Sequence, residues 1–416
     1  MSFEILDFLR SLVTLTLFDY LRDIWSDNMA PGTLEALLDL IGIFTVSTFA
    51  LLIVLFLIWL ERKVIARIQD RVGPNRVGGR FGLLQTVADV LKLLTKESLT
   101  PAGADWLAFN LAPLLTVMAA LLLWAVMPFA PDVIGVDLNV GLFYVLAVSS
   151  ASVVTLLLAG WGSNNKYALL GAFRAVAQLV SYEVPMVLAL IVPILLAHSM
   201  YMQRIIEAQT VPYLFVVPLS AIIFFASALA ETGRTPFDLL EAESEIVAGF
   251  HVEYSGMKFG MFFLAEFIST LFMSGLFATI YLGGWRFFGV EDHEPLGRLF
   301  GLIVFFVKMF IVYFVFIWVR GTLPRVRIDQ MLDLNWKFLV PLSLVLVLVV
   351  AVVEKLVPAG ANVYYRAGIH LIGNLIVGFV ALEILRRYAR RQRIEYEARL
   401  EAGTAEAEEL VPEVAQ

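Results

Sequence analysis

Cysteine is absent from this chain of 416 residues. That excludes disulfides, thiolate zinc sites and cysteine-held iron–sulfur clusters. Histidine is nearly as scarce. The four are His198, His251, His293 and His370, and no two lie three or four residues apart, so no haem or metal site built from this chain alone is expected. Charged residues make up only 16% of the chain, and no basic stripe with interleaved aromatics is present, which argues against nucleic acid as a partner. What remains is apolar. With 60% hydrophobic residues, a mean hydropathy of +0.83 and repeated apolar runs of about 20 residues, the chain reads as an all-α polytopic membrane protein.

The first 36 residues mix Asp, Arg and Glu with Leu and Phe. They lack the basic start, short apolar core and small-residue cleavage site of a secretory signal, and read as an amphipathic interfacial arm. Nine membrane spans are expected, at about 37–60, 107–128, 140–161, 179–198, 213–231, 257–282, 299–320, 337–357 and 368–386. Internal prolines at 113, 185, 193 and 218 are expected to kink several of them, which a bundle tolerates. Between the first two spans, Gly73-Pro74-Asn75 forces a turn and Gly78-Gly79 adds a flexible point. Apolar residues then recur at helical spacing over 81–97 (Leu83, Leu84, Val87, Val90, Leu91, Leu94), which predicts an amphipathic helix on the membrane surface. Gly73 and Gly78 have P-loop spacing, but Gly79-Arg80 stands where Lys-Ser/Thr is needed, so nucleotide binding is rejected. The main body spans 37–386, and a charged tail, first basic and then acidic, occupies 387–416.

With bases at span ends assigned to the adjoining segment, the segments after odd-numbered spans carry 22 Lys and Arg, and those on the opposite side carry 7. That bias places the 61–106 segment, an acidic loop at 231–256 and the C-terminus in the cytoplasm.

The acidic loop carries the chemistry. Glu231, Asp238, Glu241, Glu243, Glu245 and Glu253 accompany one base, Arg234, between two apolar runs. Insertion into a bilayer gives no stability reason to gather acids there, and such groups usually mark an ion or proton path. Asp238, Glu241 and Glu245 are spaced to share one helical face, while Glu243 points elsewhere. Crowding raises the pKa of some of these acids, which suits them to relay protons. Glu183, beside Tyr182, and Glu266 lie within spans, where a charge costs roughly 3 kcal/mol unless paired or hydrated. Lys308, inside the seventh span, is a candidate structural partner for Glu266. After the first span, Lys63 and Arg80 are explained as topogenic charges. Glu61 does nothing to retain the loop, so Glu61 with Arg62 reads as a specific feature, and Asp89 on the surface helix is a weaker candidate.

The segments WLERKVIARIQDRVGPNRVGGRFGLLQTVADVLKLLTKE, GWGSNNKYALLGAFRAVAQLVSYEVPM, LAETGRTPFDLLEAESEIVAGFHVEYSG, FFLAEFIS and RGTLPRVRIDQMLDLNWK, covering about residues 45–345, resemble the H-type (mitochondrial subunit 1) family of membrane subunits of respiratory complex I. The resemblance implies a tilted helical bundle around a narrow chamber for quinone, ubiquinone or menaquinone, which would be the substrate. It implies Glu61, Arg62, Arg71 and Asp89 at the chamber and its mouth, with Arg234, Asp238, Glu241 and Glu245 near the quinone path. It places Arg174, Tyr182, Glu183, Glu231, Glu243, Glu253 and Glu266 on an acidic path toward proton-pumping subunits. Metal and flavin would be absent from this chain, because iron–sulfur clusters and FMN belong to partner subunits. Those partners would be the peripheral-arm quinone-site and iron–sulfur subunits, small neighbouring membrane subunits and antiporter-like subunits, all in membrane lipid. Mitochondrial members are shorter than this chain, which suggests a bacterial plasma-membrane protein. The implied function is the membrane subunit of a proton-translocating NADH:quinone oxidoreductase, not catalytic alone. A related membrane-bound hydrogenase subunit is the nearest alternative. A stand-alone secondary transporter would show two related halves, and none are visible.

Overall fold

The computed structural model describes residues 11, 15–25, 31–238, 249–287, 296–358 and 362–414, and nearly all of the order is helical. In chain order, α1 is Leu17–Trp25, α2 Pro31–Ile68, α3 Gln85–Thr95, α4 Trp106–Leu123, α5 Gly141–Gly162 and α6 Lys166–Ala197. Three short pieces follow, α7 Met202–Ala208, α8 Tyr213–Val216 and α9 Pro218–Glu231. Then come α10 Gly256–Tyr281, α11 Gly297–Thr322, α12 Ile328–Leu334, α13 Val340–Leu356 and α14 Val363–Val414. Among the described residues eight helices are long and apolar enough to cross a membrane, and α9 is a shorter apolar ninth. The all-α polytopic expectation holds.

Leu40, Ile43, Phe44, Phe143, Ile303 and Phe379 stand exposed on these helices, each more than half accessible. Apolar residues facing outward along a helix that is also apolar inward are the mark of a lipid-facing bundle. The interior is built from α10, whose 26 residues are mostly buried, with α2, α3, α4, α9 and α11 packed around it, while α6 packs on α5, α9 and α13. At Gly171 an added Cβ would lie 2.6 Å from the Gly249 carbonyl carbon, so only glycine lets the 249–255 loop press onto α6.

Four expectations change. The surface helix begins at Gln85 rather than 81, because Gly82 (φ +66) turns so tightly that a Cβ would sit 2.3 Å from the Pro74 oxygen. The first and fourth spans are longer than expected, since α2 and α6 also include the charge-bearing stretches Glu61–Ile68 and Lys166–Gln178. The fifth span is not one helix. Val217 (φ −132, ψ 61) interrupts it, and Pro218 opens α9 as its first residue instead of kinking it. Finally, Lys308 does not pair with Glu266 in the way expected. Its Nζ donates to the carbonyls of Leu282, Gly284 and Arg286 at 2.6–2.9 Å, holding the turn that follows α10.

Candidate functional site

The site is built at the end of α9. Gly233 (φ +62) donates to the Ala230 carbonyl at 3.2 Å, and Arg234 N–H donates to Leu229 at 3.0 Å. This Schellman arrangement ends the helix and fixes the direction in which Arg234 leaves it. The following turn is stapled from α6, where the Gln178 amide donates to both Ala230 and Phe237 carbonyls at 2.7 Å. Val326 N–H donates to the Pro236 carbonyl at 3.0 Å, and Arg325 donates to Asp238 at 3.1 Å, tying the same turn to the segment after α11.

Held this way, Arg234 is only 3% exposed, and its guanidinium lies between two carboxylates from different helices. Its Nη1 donates to Glu61 of α2 at 2.9 and 3.1 Å, and its Nε lies 3.1 Å from Glu266 of α10. The Phe267 ring lies 4.5 Å beneath it, a cation–π contact. Arg320, in the last turn of α11, also pairs with Glu61. Burial opposes the charge on Arg234, but Glu61 and Glu266 outweigh burial and hold its pKa above the ordinary value. The cluster therefore has two acids and two bases, nets to zero, and links α2, α10, α11 and the α9 exit.

Beside it lies a cavity of about 100 Å³, with Glu231, Thr232, His251, Glu266, Ser149 and Ser152 in its wall. That volume has room for several waters. Glu231 Oε2 is buried with no hydrogen-bond partner among the described residues, which is the kind of atom a buried water satisfies. Glu183 accepts from Ser150 at 2.8 Å and lies close enough to Glu231 for their charges to interact. Burial pushes the pKa of His251 down to about 4, so its imidazole faces the cavity uncharged at neutral pH.

The remaining expected residues fall around this centre. Arg62 pairs with Asp89 at 2.5 Å, joining α2 to the surface helix, and Asp89 also reaches Lys92 at 3.6 Å. Glu61 is thus buried within the bundle, whereas its neighbour Arg62 is exposed and reaches α3. Tyr182 is fully buried against Phe237 and donates to the Met331 carbonyl at 3.2 Å, outside the cavity wall. Glu253 accepts from Asn165 at 2.7 Å. Arg174 sits half-buried on α6, and Arg71 is exposed with its Nε on Gln69 at 2.8 Å. Glu241, Glu243 and Glu245 lie outside the described residues, as does the helical face they were expected to share with Asp238.

Sequence reasoning assigns Glu61 and Arg234 to one role and Glu266 to another, whereas all three meet in one cluster. It misses Arg320, Gln178 and His251. By position along the chain, Arg320 counts as a topogenic base. The available signal is a base whose own span end carries further bases and has no need of it. Among the described residues no group of His, Asp and Glu is arranged to hold a metal ion.

The comparisons with known proteins point one way. A family model described as NADH dehydrogenase matches residues 41–351. A Dehalococcoides mccartyi (strain CBDB1) protein, named as the H subunit of NADH-quinone oxidoreductase, is 49% identical over 323 residues, covering 78% of this chain and 88% of that protein. Proteins of the same name from Rhodospirillum centenum and Geobacillus sp. (strain WCH70) are each 46% identical. They cover 80% and 79% of this chain, and 97% and 98% of their own lengths.

Proposed function

The chain belongs to the H-type family of NADH-quinone oxidoreductase membrane subunits, and from that premise we propose that its buried charges form one wall of a quinone site and the inner end of a proton path. It is a multi-pass membrane subunit of that multi-subunit enzyme and is not catalytic by itself. Quinone is the substrate of the assembly. In this reading electrons reach it from iron–sulfur clusters and FMN held by partner subunits of the peripheral arm, which agrees with the absence of cysteine from this chain.

The observation that carries the reading is Arg234 locked between Glu61 and Glu266 next to a mostly apolar cavity whose few polar wall groups include Glu231 and Glu266. A net-neutral buried cluster responds strongly to a charge change nearby, since little solvent screens it. Reduction of quinone to quinol near Glu61, Arg62, Asp89 and Asp238 consumes two electrons and two protons. The shift in local charge alters the proton occupancy of Glu231 and Glu266, and water in the cavity carries the proton between them. Glu183, with Arg174 and Tyr182 on the same helix, extends the path away from the quinone. The charged loops and C-terminus face the cytoplasm of a bacterial cell whose plasma membrane holds the complex.

The test uses the assembled enzyme carrying Asp238→Asn or Glu241→Gln. Quinone-linked turnover is expected to fall while NADH oxidation by an artificial acceptor stays intact. Equal loss of both activities would mean failed assembly, and unchanged quinone turnover would remove these residues from the site.

A further inference from the structure

α14 lies outside the segment shared with the family, which ends at residue 351. The Geobacillus relative aligns over 98% of its length, leaving almost nothing there to correspond to a further 52-residue helix. In this chain α14 packs along α13 and against α8 and α9. It therefore lies across the interruption at Val217.

That interruption needs a cover. The 14 residues of α9 rise about 21 Å, short of the roughly 30 Å hydrocarbon core. The rest of the crossing is irregular backbone and a single helical turn, which a bilayer tolerates only where protein encloses it. Enclosure is what is found, with Tyr213 and Val216 each 6% exposed and Val217 fully buried.

Besides this packing, an ion cluster fastens the cover. Glu354, near the end of α13, pairs with Arg366 in the first turn of α14. His370, one turn further along α14, has its Nε2 2.9 Å from the second oxygen of Glu354. His198, which caps α6 in a left-handed conformation, reaches the first oxygen at 3.1 Å. One carboxylate thus gathers three basic side chains from two other helices, and Tyr213 of α8 lies within the electrostatic reach of Glu354 and Arg366.

We propose that α14 is a dedicated cover for the broken fifth segment and that Glu354 is the clamp that keeps it seated. Loss of the clamp opens the Val217 interruption to water from the end of the bundle opposite the charged loops. The absence of native cysteine makes the test direct. Val216→Cys is placed in the full chain within the assembled complex and treated with a water-soluble maleimide, with and without Glu354→Gln or Glu354→Asp. The thiol is expected to be protected in the otherwise native chain and with Glu354→Asp, and to lose that protection with Glu354→Gln. Equal protection in all three overturns the proposal. Should Glu354→Gln keep the chain out of the complex, the Val349→Cys/Gly373→Cys pair re-ties α13 to α14, since a Cβ at Gly373 lies 3.7 Å from a Val349 methyl. Its disulfide is expected to restore assembly, and failure to restore it overturns the proposal equally.

Discussion

Arg234 and Glu266 provide a quantitative test of the cluster through a double-mutant cycle of Arg234→Gln and Glu266→Gln. The Nε–Oε1 separation is 3.1 Å, with Arg234 3% and Glu266 22% exposed at the side chain. With an effective dielectric constant of about 20, a unit pair at that distance attracts by about 5 kcal/mol before desolvation is subtracted. Breaking one side of such a pair usually costs about 3–5 kcal/mol, much of it from the charge left behind. The assay is the rate of irreversible thermal inactivation of quinone-linked activity in the purified complex, with the artificial-acceptor activity as control for the electron path. Each single substitution is expected to speed inactivation. The double variant is expected to lose less than the sum of the two, with a coupling of about 1–3 kcal/mol, or about 5- to 160-fold in rate. Additivity within about 0.5 kcal/mol would show that the two side chains do not act on each other and would refute the cluster as drawn.

Gln178→Leu strips the Ala230 and Phe237 carbonyls of a buried donor. A destabilisation of about 1–3 kcal/mol is expected, read as faster amide exchange in residues 229–238. His251 has its pKa depressed to about 4 by burial, so the unfolded chain binds the extra proton first as pH falls below about 6.5. Stability is therefore intact above that pH and declines toward pH 4, by about 2 kcal/mol at pH 5. His251→Asn is expected to flatten that part of the inactivation profile. The partly exposed Arg62–Asp89 pair contributes only about 0–1 kcal/mol. Asp89→Asn should therefore leave thermal stability nearly unchanged, and any large loss of quinone turnover in that variant would be functional.

The membrane architecture was legible because its cause is local. A run of apolar residues long enough to cross lipid announces itself, and each expected span lies in or around a helix. Span ends were less legible, since α6 carries Lys166, Arg174 and Gln178 on a helix that hydropathy starts only at 179. The break at Val217 was invisible because Val217-Pro218 is as apolar as its surroundings. Acids in an apolar setting flagged Glu61, Glu231 and Glu266 as individuals. Nothing along the chain says that Glu61 meets a base 173 positions away, or that Arg320 joins them. Those meetings are set by how α2, α10 and α11 cross. Gln178 looked like an ordinary helix residue, and only the turn it closes gives it a purpose.

The most direct test of the central claim is infrared difference spectroscopy of the assembled complex as its quinone is reduced, comparing the native chain with Glu231→Gln. The native enzyme is expected to show a carboxyl protonation band, and the variant to lose part of it while still passing electrons to an artificial acceptor. Identical carboxyl spectra in the two would mean that Glu231 does not register the redox event.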